Sequence, residues 1–203
     1  MKLSLAWVGL LLIGLLLIGL LLLTGYIPMS PTELTPNYPH RVRFSTERPD
    51  VFYERSNAYA LHYSQPDSAP READHILEDG TIAIFPRETV LCHHSPDTAI
   101  SPVYTLAPGQ VLAVPTGRLF VRFTQDTIAT DHAPALQAAG YAIESSSTYA
   151  PHTAWVQARS GDIAEALSNI PQLEAIAAIE NVEPQMIVER QLKSRESGVG
   201  SET

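Results

Sequence analysis

Arg118-Leu-Phe-Val-Arg-Phe123, then Ala133-Pro-Ala-Leu-Gln-Ala-Ala-Gly140, Thr153-Ala-Trp-Val-Gln157, Asp162-Ile-Ala-Glu-Ala-Leu167 and Val182-Glu-Pro-Gln185, carry the clearest alternation of strand and helix signals in the chain. Leu119, Val121 and Phe123 recur at period two, so they share one face of a strand. Pro134 suits the first turn of a helix, where its missing N–H has no partner to lose. Asp131 or Thr130 is placed to cap that helix, and Gly140 to end it in the left-handed conformation. Tyr141-Ala-Ile143 begins the next strand, the polar run from Ser145 to Pro151 supplies a turn, and Thr153 to Gln157 returns. Asp162 followed by Glu165 has capping-box spacing. Ile163, Ala166, Leu167 and Ile170 then form the stripe of a helix lying on a sheet. A further helical turn opening at Pro171 takes up part of the connection to the last strand, Val182 to Val188. The order strand, helix, strand, strand, helix, strand is that of a ferredoxin-like βαββαβ module over 118–190.

Those segments, in that order, resemble the inhibitor I9 domain, the prosegment of subtilisin-type (S8) serine proteases. Val182-Glu-Pro-Gln185 is similar to the family's frequent Val-Glu-Pro-Asn ending. The resemblance implies a sheet that packs on the enzyme and a following segment that enters the substrate cleft. Carried onto this chain, the implied protease-binding residues are Gln185, Met186, Ile187, Val188, Glu189, Arg190, Gln191 and Leu192, acting by strand addition. Read without the resemblance, the same residues are an edge strand running into a disordered tail over 191–203. No Asp, His and Ser blocks of a subtilase catalytic domain follow in the 203 residues. The implied role is therefore an inhibitor or folding assistant of a separately encoded S8 protease, and no enzymatic activity is expected. A second class is an envelope assembly protein that uses the module for association, since a fold alone does not fix function.

At the other end, Leu5 to Leu23 carries no charge and is long enough, at about 1.5 Å per residue, to span a hydrocarbon core as a helix. It predicts a transmembrane anchor over 1–25 with the bulk of the chain extracytoplasmic, Lys2 marking the cytoplasmic side. A removed signal peptide and secretion is the alternative. Pro28, Pro31, Pro36 and Pro39 make 26–40 an extended, semi-rigid linker. Over 41–117 the sequence reads as a β-rich domain of short strands. Val42 and Phe44 alternate with Arg41 and Arg43, Tyr59, Leu61 and Tyr63 repeat the pattern, and Thr81 to Phe85, Thr89 to Cys92 and Gln110 to Val114 follow. The fold class expected is thus α+β: an anchor helix, a β-rich segment and the ferredoxin-like module.

The net charge of -9, with no basic stripe or cluster, argues against nucleic acid as a partner. The expected partners are a subtilisin-type protease or another envelope protein, and no cofactor is implied. Cys92 is the only cysteine, so no intrachain disulfide forms, and Leu91 beside it predicts a buried thiol. Cys92-His93-His94 with Asp97 lacks the paired spacing of a zinc site, and no metal is expected. Ser, His and Asp are all present, but no Gly-x-Ser-x-Gly elbow occurs, so no catalytic residues are assigned.

Overall fold

A computed structural model of the chain describes residues 34–106 and 111–188. Nine strands lie among them: β1 (Arg41–Ser45), β2 (Arg48–His62), β3 (His75–Leu77), β4 (Ile82–Pro86), β5 (Ala99–Leu106), β6 (Val111–Phe123), β7 (Tyr141–Ser146), β8 (Thr153–Ala158) and β9 (Ile179–Val188). The helices are short: α1 (Val90–His93), α2 (Ala133–Ala138) after a 3₁₀ turn (Ala129–His132), α3 (Ile163–Ser168) and α4 (Ile170–Glu174). All nine strands join one antiparallel sheet of order β3-β4-β2-β5-β6-β8-β7, with β1 on β2 and β9 on β6.

β6 is the strand that makes this one sheet. Val111, Leu112 and Ala113 pair with β5, Arg118 to Arg122 pair with β8, and β9 runs along the opposite edge from Ala113 to Phe123. Pro115 has no N–H to give a ladder, and it sits where the β6–β9 register shifts. Gly117 carries the backbone through the shift at φ +83°, and a Cβ there would stand 3.1 Å from Cγ1 of Ile163. Glycine is needed on both counts. Beyond it, Leu119, Val121 and Phe123 are fully buried and pack with Leu136, Tyr141, Ala166, Leu167 and Leu173. Each large apolar side chain buried in this way contributes roughly 1.5–3 kcal/mol.

The expected fold class is corrected by this topology. The chain does not divide into a β-rich domain and a separate ferredoxin-like βαββαβ module, because β6 crosses the boundary between 117 and 118 without a break. The described residues from Thr35 onward belong to one compact unit. A strand of 13 residues is long enough to be shared by both halves. Once shared, the sheet has no seam at which a four-stranded module closes on itself.

The expected anchor is corrected too. Among the described residues no helix is long and apolar enough to cross a membrane. Single-pass anchoring, and the extracytoplasmic placement that followed from it, has no support in the structure; Leu5–Leu23 lies outside the described residues. The described part of the linker is no free spacer. Arg55 donates to the Thr35 carbonyl at 3.1 Å and also to its hydroxyl, while the Tyr104 hydroxyl donates to the Pro39 carbonyl at 2.7 Å. Ser168 reaches the Asn37 carbonyl at 3.3 Å. Tyr38 lies against the core, and its hydroxyl is pushed up to about 12, first by burial and then by the Asp162 carboxylate, with Arg55 opposing.

Local signals fared better where backbone chemistry was explicit. Asp162 caps α3 by accepting from the Ala164 and Glu165 amides at 2.7 and 3.1 Å. Glu165 does not complete the box; it takes the Ser160 hydroxyl at 2.6 Å. Gly140 follows α2 at φ +92° and Pro134 lies in its first turn. The cap expected at Asp131 or Thr130 is replaced by the 3₁₀ turn, with His132 at the N-cap position and no side-chain cap bond. Thr89 to Cys92, read as a strand, is instead the entry to α1, and Cys92 is exposed rather than buried. A four-residue helical turn has too few positions to show a period, so Val-Leu-Cys reads as β by composition alone.

The two halves are locked at Asn181, which is 1% exposed. Its Oδ1 accepts from the Ser45 hydroxyl at 2.8 Å and from the Thr46 amide at 3.0 Å, both at the β1–β2 turn. Its Nδ2 donates to Glu183 at 2.8 Å, and the Val182 amide donates to the Thr46 hydroxyl at 3.1 Å. Replacing Asn181 by Ala leaves the buried Ser45 hydroxyl and the part-buried Thr46 amide unmet, and the expected cost is about 2–3 kcal/mol. In thermal unfolding of the full chain that appears as a midpoint lowered by roughly 5–10 °C. A midpoint within about 2 °C of wild type would remove Asn181 from this role.

Candidate protein-binding face

The period-two alternation that buries Leu119, Val121 and Phe123 turns Arg118, Phe120 and Arg122 to the other face of β6. There Phe120 stands opposite Trp155 of β8 in register. Their ring centroids are 5.3 Å apart at 62°, an edge-to-face pair. Arg118 lies with its guanidinium 5.0 Å from the Trp155 ring centroid, while its Nε pairs with Glu144 of β7 at 2.5 Å. At the opposite end Arg122 pairs with Glu47 and, at 3.5 Å, with Glu180. Glu183 of β9 is the partner of Phe120 in the β6–β9 ladder. Helices α2, α3 and α4 supply Leu136, Leu167 and Leu173 to the other face. Phe120 and Trp155 stay half-buried outside that cluster.

An aromatic pair flanked by two arginines is the composition found at the energetic centres of protein interfaces. The ion pairs themselves are about a third exposed on the arginine side, 35% for Arg118 and 32% for Arg122. Pairs so exposed add little to stability. Their effect is to hold the guanidiniums in fixed positions around the rings. The sequence carried the signal for this face, because residues alternating with a buried row must point away from it.

The residues expected to bind a protease lie elsewhere. Gln185, Met186, Ile187 and Val188 are the end of β9, and the last three pair with Pro115, Val114 and Ala113 of β6. Gln185 is held by the Thr116 hydroxyl, which donates to its Oε1 at 3.0 Å. Met186 and Ile187 pack against the two hydrophobic clusters. Glu189, Arg190, Gln191 and Leu192 lie outside the described residues. A strand paired along one edge meets a partner only by its other edge or by its faces.

Two further constellations are structural. His62 and Ser101 come together, Nε2 to Oγ at 2.8 Å, but Ser101 is 0% exposed and no substrate reaches its hydroxyl. His93 stacks on Phe85 at 4.3 Å between centroids. Among the described residues no group of three or more His, Cys, Asp or Glu is arranged to hold a metal. Comparison with known proteins gives no match: no family model fits the chain, and no curated protein and no solved structure resembles it.

Burial lowers His62 from 6.5 to about 4. A folded value below the unfolded one means stability that is full above about pH 6.5 and is lost as pH falls towards 4. The loss amounts to something on the order of 3 kcal/mol. His62→Gln, which keeps a hydrogen-bonding group for Ser101, is expected to flatten the denaturant-midpoint profile between pH 6.5 and 4. An unchanged profile would assign the acid sensitivity to other groups.

Proposed function

We propose that the chain is a binding protein that docks on a folded partner through the face centred on Phe120 and Trp155, and that the partner is a subtilisin-type serine protease encoded separately. The observation that carries the reading is the aromatic pair on the uncovered face of β6 and β8, bracketed by Arg118–Glu144 and Arg122–Glu47. Docking there desolvates two large rings, the strongest apolar contribution that this face offers. The guanidiniums, already oriented by their carboxylates, supply fixed donors at the rim without further ordering. The partner class comes from the likeness of 118–190 to S8 prosegments, whose sheet rests on the enzyme. The role is inhibition or folding assistance by occupancy of the enzyme surface, and no residue of this chain is assigned to bond cleavage.

Titration of the full chain against a panel of purified subtilisin-type proteases lacking their prosegments tests the proposal, with residual activity and surface binding as readouts. Trp155→Ala is expected to weaken binding by about 30-fold, or about 2 kcal/mol, with Phe120→Ala close behind. The unfolding midpoint of either variant should stay near wild type, because neither ring belongs to the buried core. Wild-type binding that survives both substitutions moves the contact off this face. Absence of inhibition and of binding at micromolar concentration across the panel would rule out the protease as partner.

A further inference from the structure

The face that carries Phe120 and Trp155 also carries charge, and its charges do not balance. Trp155 of β8, Phe120 of β6 and Glu183 of β9 are register partners, so the three side chains form one rung across three adjacent strands. On either side of that rung stand Arg118, paired with Glu144, and Arg122, paired with Glu47 and Glu180. Two guanidiniums thus meet four carboxylates, an excess of two negative charges, in a chain of net charge -9. A cationic surface is favoured against such a face, and an anionic one is repelled.

The excess is centred on Glu183. Each of the other three carboxylates has an arginine as its partner. Among the described residues Glu183 has no cationic partner; its Oε1 accepts from the neutral Asn181 amide at 2.8 Å. Asn181 is itself fixed, because its Oδ1 accepts from Ser45 and Thr46. Glu183 is therefore held in position while its charge stays uncompensated. It is half-buried beside a half-buried ring, where a cation is worth more than on an open surface. The neighbouring arginines do not supply one. Arg118 lies against Trp155 and Glu144, and Arg122 is engaged by two carboxylates.

We propose that this face receives a lysine or arginine side chain of the partner, whose cation pairs with Glu183 while its stem lies along the Phe120 ring. The inference rests on the reading of this face as the docking surface; it does not rest on the partner being a protease. The surface that fits is a protein patch with a basic residue set in apolar surroundings. The rings cover the apolar stem, and the cation gains the carboxylate and the electron-rich ring face together.

Fluorescence anisotropy of the full chain with labelled, end-capped Gly-Ser-Leu-Arg-Leu-Ser-Gly tests the inference, beside the same peptide with Gln or Glu in place of Arg. The Arg peptide is expected to saturate below about 1 mM, the Gln peptide to bind about tenfold more weakly, and the Glu peptide not to bind. Glu183→Gln keeps an oxygen for the Asn181 amide, so its circular dichroism spectrum should match wild type. In that variant the Arg and Gln peptides should bind alike, because their difference is the pairing with Glu183. Glu72→Gln, at an exposed loop position outside β6, β8 and β9, should leave the preference intact. Equal binding of the Arg and Gln peptides to wild type overturns the inference. So does a preference that survives Glu183→Gln, or a lack of saturable binding at about 1 mM. Trp155→Ala and Phe120→Ala separate this failure from failure of the docking face. If they weaken a binding that shows no preference for Arg, docking on the rings stands and the cation site falls. If neither changes Arg-peptide binding, docking on this face falls and the inference falls with it.

Discussion

The side chain of Asn181 is where the two halves of the chain become one protein. It joins positions separated by 136 residues through Ser45, and it does so inside the protein, where its amide has no water to fall back on. The bonds are directional, so they fix the height of the β1–β2 turn along β9. The same contact disposes of an open edge. The Val182 amide is taken by the Thr46 hydroxyl, and Pro184, next on that outward side, has no N–H to offer. Two successive donor positions of β9 are thus closed to unwanted strand pairing, by a hydroxyl and by a proline.

From that closure follows the division of the surface. With β1 and β2 fastened beside β9, helices α3 and α4 lie on one side of the sheet and the Phe120–Trp155 face stays uncovered on the other. In the same arrangement Arg43 reaches Glu174 of α4 while Arg41 stays with β2. Helices of four to six residues have little stability alone. They persist because Leu136, Leu167 and Leu173 are buried on the sheet, and the caps only set where they start and stop.

Much of the local structure was legible in residues whose chemistry leaves few options. Asp162 before an apolar stripe, Gly140 after a short helix, and alternating Leu119, Val121 and Phe123 each did what backbone hydrogen bonding and burial require. The failures share a cause. Thr35 to Pro39 looked like a free stalk because its partners, Arg55 and Tyr104, are distant in sequence. Cys92 looked buried because Leu91 stands beside it, yet both are exposed on α1. The strands of 118–190 looked like a self-contained unit because a strand's period reveals which residues face inward, but not how many neighbours it has along its edges.

Residue order alone thus gave the alternating row of β6, the start of α3 at Asp162 and the end of α2 at Gly140, all of which depend on interactions within a few residues. It also determined the acidic balance and the single thiol. Tertiary structure decided that β6 is shared, that the β1–β2 turn closes on Asn181, and that one alternating row of Arg118, Phe120 and Arg122 remains uncovered. These are outcomes of which strand edges find each other and which face the helices occupy. Contacts between residues tens to more than a hundred positions apart leave no period in the sequence to read.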